Sequence, residues 1–315
     1  MPDTVAEWLR TLGRNEKRVI TALKRVLAES VRTSMSLAEI ERLYAAGNTA
    51  AIVEAIDWHV WQRSYAKYLT PELAETLRRG AEAGIKGLPT ELQQAFFVID
   101  PVVEAAIIDY GAQMIVQVTE AQKQAVNAYV LESYVNGTGP KAAARSIRDV
   151  VGVTEREGLA IARFEGKVDD VFRGERTAAS LRRQYPTMSR SITGNAEKIK
   201  ADYRRRTLLR RAERIARTET AHAYHRGQRA VWQDLKTRGV YTSEVLEWIT
   251  VQDDRTCQIC SPMQGQQISL ELGFTTGSGM MVDVPPAHPG CRCDVRIVLD
   301  RQFIRPELLA VAGVA

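Results

Sequence analysis

Cysteine and histidine are scarce in this sequence, four of each in 315 residues, and every cysteine lies beyond residue 256. Length and so few thiols argue against a disulfide scaffold, because such scaffolds are usually small secreted domains short of a core. Long apolar runs are missing as well. The longest, Phe96 to Val118, is broken by Asp100, Glu104 and Asp109 and cannot span a bilayer. The first residues, Met1-Pro-Asp-Thr-Val-Ala-Glu-Trp8, lack the basic-then-apolar order of a secretory signal. A soluble protein with no membrane partner is expected. Also absent are a Walker loop, a serine nucleophile elbow and an HExxH pair, so a non-enzymatic role is expected.

What is present is globular in kind. Apolar residues make up 45% and charged residues 26%, which argues against wholesale disorder. The length suggests two domains, or one with an extended arm. The net charge of +5 is unevenly spread. Lys200 to Arg238 holds twelve Lys/Arg against four Asp/Glu, a local charge of +8, so the rest of the chain is acidic on balance.

Pattern and punctuation predict a fold that is mainly α with a small C-terminal α+β zinc-stapled module. Residues 1–138 read as a helical domain. Ser36-Leu-Ala-Glu39 and Thr90-Glu-Leu-Gln93 are capping boxes, and Thr70-Pro71 is an N-cap followed by proline at the first helical position. A long helix is expected from about Pro101 to Tyr134, stopping at Asn136-Gly137-Thr-Gly139. Residues 139–238 form a helical region: Pro140 to Val151, then a helix capped by Thr154-Glu-Arg-Glu157 and running to about Phe172. A loop over 184–195 follows, then a long basic helix from Ala196 to Arg238, interrupted near Gly227. Residues 239–300 are a Cys/His metal-binding module with strands at about 240–251 and 295–299, and 301–315 are a tail.

The module's chemistry rests on Cys257-Gln-Ile-Cys260 and Pro286-Ala-His288-Pro-Gly-Cys291-Arg-Cys293. Each cluster sets two ligands with two residues between them, the spacing that suits tetrahedral Zn²⁺ with thiolate and imidazole donors. Cys257, Cys260, His288, Cys291 and Cys293 compete for four positions. Two sets stand open: Cys257/Cys260 with His288/Cys291, or four cysteines with His288 orienting them from outside. Disulfides or plain thiols are the alternative. About 60 glycine-rich residues bury little apolar surface, and a metal staple supplies the folding free energy such a module lacks.

Other constellations have weaker claims. Glu219, His222 and His225 share a helix face and can be read as a second metal site or an acid/base pair, or as ordinary salt-bridging residues. Glu213 and Arg217 have i, i+4 spacing. The Lys200–Arg238 stretch can grip phosphates non-specifically, or be a solvated face or a dock for an acidic partner. Its aromatics, Tyr203, Tyr224 and Trp232, are too spread for base stacking. Trp58, Trp61, Tyr65 and Tyr68 form a stripe at helical spacing, read as core. Asp253-Asp254-Arg255 reads as an acidic turn bracing the first cysteine pair.

The ordered series Ile215-Ala-Arg217-Thr-Glu219-Thr, Glu247-Trp248, Asp254-Arg255-x-Cys257-x-x-Cys260, Gly265 and Pro286-x-His288-Pro-x-Cys291-Arg-Cys293 resembles the phage Mu F-like head morphogenesis family over about residues 139–299. The resemblance implies a minor capsid protein acting at or near the portal vertex in head assembly, DNA packaging or delivery. Its implied partners are the portal protein and other capsid proteins, with non-specific DNA contact through Lys200–Arg238. It implies residence in the virion, and in the host bacterial cytoplasm during assembly. It also implies a structural metal at Cys257, Cys260, His288, Cys291 and Cys293, and a structural role for Arg217 and Glu219. The competing readings are a zinc-stapled DNA-binding protein and an HNH-type nuclease. The nuclease needs a second His or Asn beside the scissile phosphate, and none follows His288.

Overall fold

A computed structural model describes residues 3–95, 119–151, 153–188, 192 and 194–307. The chain is mainly helical, with a small C-terminal sheet region. It divides into two compact units, each drawn from separated stretches. One comprises Met1–Ala22, Leu69–Ala112 and Arg214–Ala315; the other comprises Leu23–Tyr68 and Gln113–Glu213. Among the described residues, no helix is long and apolar enough to cross a membrane.

The first unit contains the start of α1 (Asp3–Thr33), α5 (Thr70–Lys86), α6 (Thr90–Ala95) and the later part of α11 (Ala196–Thr237). It also holds β1 (Val245–Ile249), β2 (Gln267–Ile268), β3 (Phe274–Thr275), β4 (Met281–Val282) and β5 (Asp294–Val298). The sheet order is β2-β1-β5, all antiparallel, with β3 and β4 forming a separate pair. Leu246 and Trp248 of β1 and Val295 and Ile297 of β5 are buried, and Glu247 pairs across strands with Arg296 at 2.7 Å. This is the two-residue alternation of a sheet with one face covered.

Helix α11 runs unbroken through Gly227, contrary to the interruption expected there. The reason is packing. A Cβ on Gly227 would lie 2.1 Å from the Leu77 carbonyl oxygen, and one on Gly80 would lie 1.9 Å from that of Tyr224. Gly84 faces Gln228 in the same way, 3.0 Å from its Cα. These glycines let α5 and α11 cross backbone to backbone, and the gain in close packing outweighs the weak helix propensity of glycine. Trp232 seals the crossing, its indole N–H donating to the Gly84 carbonyl at 3.0 Å.

Two further expectations shift in this unit. Helix α5 begins at Thr70 itself, with Leu69 in the N-cap position and no side-chain cap. Helix α6 likewise begins at Thr90, and the Gln93 amide donates back to the Lys86 and Leu88 carbonyls rather than closing a capping box.

The second unit contains α2 (Leu37–Ala45), α3 (Thr49–Glu54), α4 (Trp58–Tyr68), α7 (described over 119–135), α8 (Pro140–Val150), α9 (Glu155–Phe172) and α10 (Ala178–Gln184). Most of the long helix expected from Pro101 lies outside the described residues until 119. Ser36 caps α2 by accepting from the Glu39 amide, and Thr154 with Glu157 forms the full reciprocal box of α9. In the aromatic stripe, Trp61 and Tyr65 are buried, their polar ends met by Ser34 at 3.1 Å and Gln122 at 2.8 Å.

Much of the basic charge at the start of α11 is consumed inside this unit. Arg204 is buried and binds Asp149 at 3.1 Å and Ser146 at 2.8 Å, and it pairs with the buried carboxylate of Glu165. Glu165 in turn accepts from the Tyr129 hydroxyl at 2.6 Å. Lys200, also buried, holds Asp169 at 2.7 Å. The run Arg204-Arg-Arg206 is therefore not one solvated patch.

Candidate metal centre

The two Cys/His clusters meet because of the sheet register. Ile249, the last residue of β1, pairs with Asp294, the first of β5, so the chain leaving β1 runs beside the chain entering β5. Leaving β1, the backbone turns at Gln252 (φ 55°), and the amides of Cys260 and Ser261 both bond the Cys257 carbonyl, at 3.1 and 2.9 Å. Before β5, the Cys291 amide bonds the His288 carbonyl at 3.0 Å, a turn that Gly290 permits at φ 80°. Two tight loops thus present their side chains to each other.

All five expected site residues are gathered. Cys257, Cys260 and His288 form one group with ligand atoms within 4.8 Å of one another, and Cys260, Cys291 and Cys293 form a second. Cys260 is common to both. The His288 Nε2 lies 3.1 Å from the sulfurs of Cys257 and Cys260, and the Cys260 and Cys291 sulfurs are 3.7 Å apart. All four cysteines are free, and that separation is far beyond a disulfide bond of about 2.05 Å. With Zn–S near 2.3 Å and Zn–N near 2.0–2.1 Å, a tetrahedral ion would set S···S edges of about 3.8 Å and S···N edges of about 3.5 Å. The sulfur edge fits, and the sulfur–nitrogen distances fall a few tenths of an ångström short. A small cavity of about 40 Å³ lies between the two loops, lined by all five of these residues. These side chains can hold a metal ion.

Tautomer and charge favour ligation. The His288 Nδ1 is 3.0 Å from the Pro289 carbonyl, which only accepts, so the proton sits on Nδ1 and the Nε2 lone pair faces the cysteines. Hydrogen bonding from the Cys260 thiol, then from that of Cys293, holds Cys291 well below the usual thiol range, and the same contact pushes Cys260 up. A buried cluster of thiols does not carry several thiolates by itself; a divalent cation held there would supply the compensating charge.

Asp253 braces the two loops, as the acidic turn suggested. It takes the Arg292 guanidinium at 2.8 and 2.6 Å, linking the residues before Cys257 to the residue between Cys291 and Cys293. The Arg292 bonds hold its carboxyl far below the ordinary range. Asp254 is exposed.

Glu219, His222 and His225 do not form a second gathered group among the described residues. His222 accepts from Arg226 at 3.1 Å, whereas His225 faces Gln228 at 2.8 Å and Asp294 at 3.6 Å. Burial pushes both imidazoles down to about 4 and the Asp294 carboxyl up to about 7. Arg217 reaches across to Glu16 of α1 at 3.0 Å, a structural tie.

Residues 189–296 match the family model described as Phage Mu protein F like protein. Over that stretch the chain is similar to phage Mu F-like proteins. The Mu F-like segment takes in the whole of β1 to β4, both Cys/His loops and most of β5. No curated protein and no solved structure matches the chain significantly.

Sequence reasoning missed one element of the centre. The indole N–H of Trp8 donates to the Arg292 carbonyl at 3.2 Å. The apolar spacing of α1 marks Trp8 as buried but says nothing of its partner.

Proposed function

We propose that this protein is a minor capsid protein of a tailed phage, acting at or near the portal vertex in head assembly and in DNA packaging or delivery. The Mu F-like match over residues 189–296 carries this reading. In it, Zn²⁺ is a structural ion bound by Cys257, Cys260, His288 and Cys291, with Cys293 buried beside them. The Nε2 contacts to Cys257 and Cys260 and the 3.7 Å sulfur edge to Cys291 favour this set over four cysteines. A soft sulfur-rich donor set selects Zn²⁺ over Mg²⁺ or Ca²⁺. The ion's work is to lock the ends of β1 and β5 together. The domain plan proposed is a helical part over 1–138, a helical region over 139–238, the metal module over 239–300 and a tail over 301–315. Non-specific DNA contact falls to the exposed Arg205 and Arg210 rather than to Lys200 or Arg204, whose charges are spent on Asp169 and Glu165.

Quantitative mass spectrometry of purified particles tests the role. A few copies per particle, co-purifying with the portal protein, is the expected result. Absence from particles of a phage that needs the gene sinks it and favours a transient factor.

A further inference from the structure

The residue between the two last cysteines is tied at both ends. The Arg292 guanidinium is clamped by Asp253, and its backbone carbonyl accepts the Trp8 indole N–H at 3.2 Å. Trp8 lies 284 residues earlier in the chain and outside the Mu F-like segment. Its ring is 2% exposed and fixed by Tyr224 and His225 of α11, with centroids 4.7 and 4.5 Å away. The next residue, Leu9, packs on Ile249 and Val251, which lead from β1 toward Cys257. The first turns of α1 therefore touch the chain entering the first loop and the peptide linking Cys291 to Cys293.

An indole N–H can only donate, and it has few alternatives once buried. The peptide it holds sets the orientation of the cysteine on each side. We propose that Trp8 is a positioning residue of the metal centre, and that metal binding and docking of the α1 N-terminal turns are thermodynamically linked. This rests on the metal-binding reading above. Linkage is reciprocal: whatever factor the Trp8 contact adds to metal affinity, the metal adds to α1 docking. A hydrogen bond of ordinary net strength corresponds to about fivefold.

The test uses the full chain, stripped with a chelator and titrated with Co²⁺, whose d–d and thiolate charge-transfer bands report the ligand field. Trp8→Phe keeps an aromatic ring and removes the N–H. Trp58→Phe is the control, since its indole donates to the Val53 carbonyl in the other unit. Trp8→Phe should bind Co²⁺ about fivefold more weakly with altered bands, while Trp58→Phe matches wild type. In the wild-type chain, amide exchange over residues 8–22 should slow when the metal is added. The proposal is overturned if Co²⁺ binds, Trp8→Phe titrates like Trp58→Phe, and exchange over 8–22 ignores the metal. If wild type binds no Co²⁺, the metal reading fails first and this inference falls with it.

Discussion

Replacing Gly80 with alanine tests the α5–α11 crossing directly. Its new Cβ would sit 1.9 Å from the Tyr224 carbonyl oxygen and 2.9 Å from the Tyr224 Cα. Non-bonded heavy atoms keep roughly 3.5 Å, so the overlap is about 1.5 Å. The new Cβ is fixed by the α5 backbone and meets the α11 backbone, so no rotamer can relieve it. The helices must part, which also pulls Trp232 away from the Gly84 carbonyl. Overpacking of this kind costs about 3 kcal/mol. The same substitution at Gly13, in α1, meets nothing within 4 Å and should stabilise by about 0.8 kcal/mol through helix propensity alone. Two chemically identical changes should therefore differ by roughly 4 kcal/mol and in sign. Gly84→Ala, with contacts of 3.0 to 3.2 Å, should fall between them. Urea denaturation followed by near-ultraviolet circular dichroism measures all three. Equal shifts for Gly80→Ala and Gly13→Ala would refute the close crossing and return glycine to a propensity role.

Three other outcomes are expected. Arg204→Met should destabilise by about 3 kcal/mol or more in chemical denaturation, because it strands the Glu165 carboxylate in a buried site, whereas Arg205→Met, at an exposed position, should change stability by under about 0.5 kcal/mol. Cys260→Ser should abolish metal co-purification by elemental analysis, since Cys260 belongs to both ligand groups, while Cys293→Ser should retain about one ion per chain. His222 is held neutral to about pH 4, below its ordinary 6.5. Between those values the unfolded chain takes up a proton at this position that the folded chain refuses, so His222's contribution to stability falls as pH drops through this window, by at most about 3 kcal/mol. His225 adds a fall of the same kind and Asp294, raised to about 7, an opposing rise, so the readout is a difference: His222→Gln should lose less stability than wild type between pH 7 and 4, and an equal loss would show that His222 contributes nothing.

Local signals in the sequence were read well where the physics is local. Ser36 and Thr154 mark helix starts because capping involves neighbours three residues away, and Pro140 because its fixed φ suits the first helical position. Trp61 and Tyr65 announce a buried face through helical spacing alone. The five Cys/His residues stand out because their types and spacings are rare outside a shared site, and the structure gathers all of them. Gly227 was misread because propensity sees a helix breaker, whereas its use depends on Leu77, 150 positions away in sequence. Lys200 and Arg204 look like surface charge until Asp169 and Glu165 are seen to cover them.

By itself, the sequence determined the mainly helical make-up, the strands that flank the cysteines, and the donor chemistry of the candidate centre. Each follows from side-chain type and short-range spacing. Only the tertiary structure decided that the last residue of β1 lies opposite the first of β5, that Cys260 joins two ligand groups, and that Trp8 reaches the Arg292 carbonyl. Those contacts depend on how distant segments pack, and no local period in the chain encodes them.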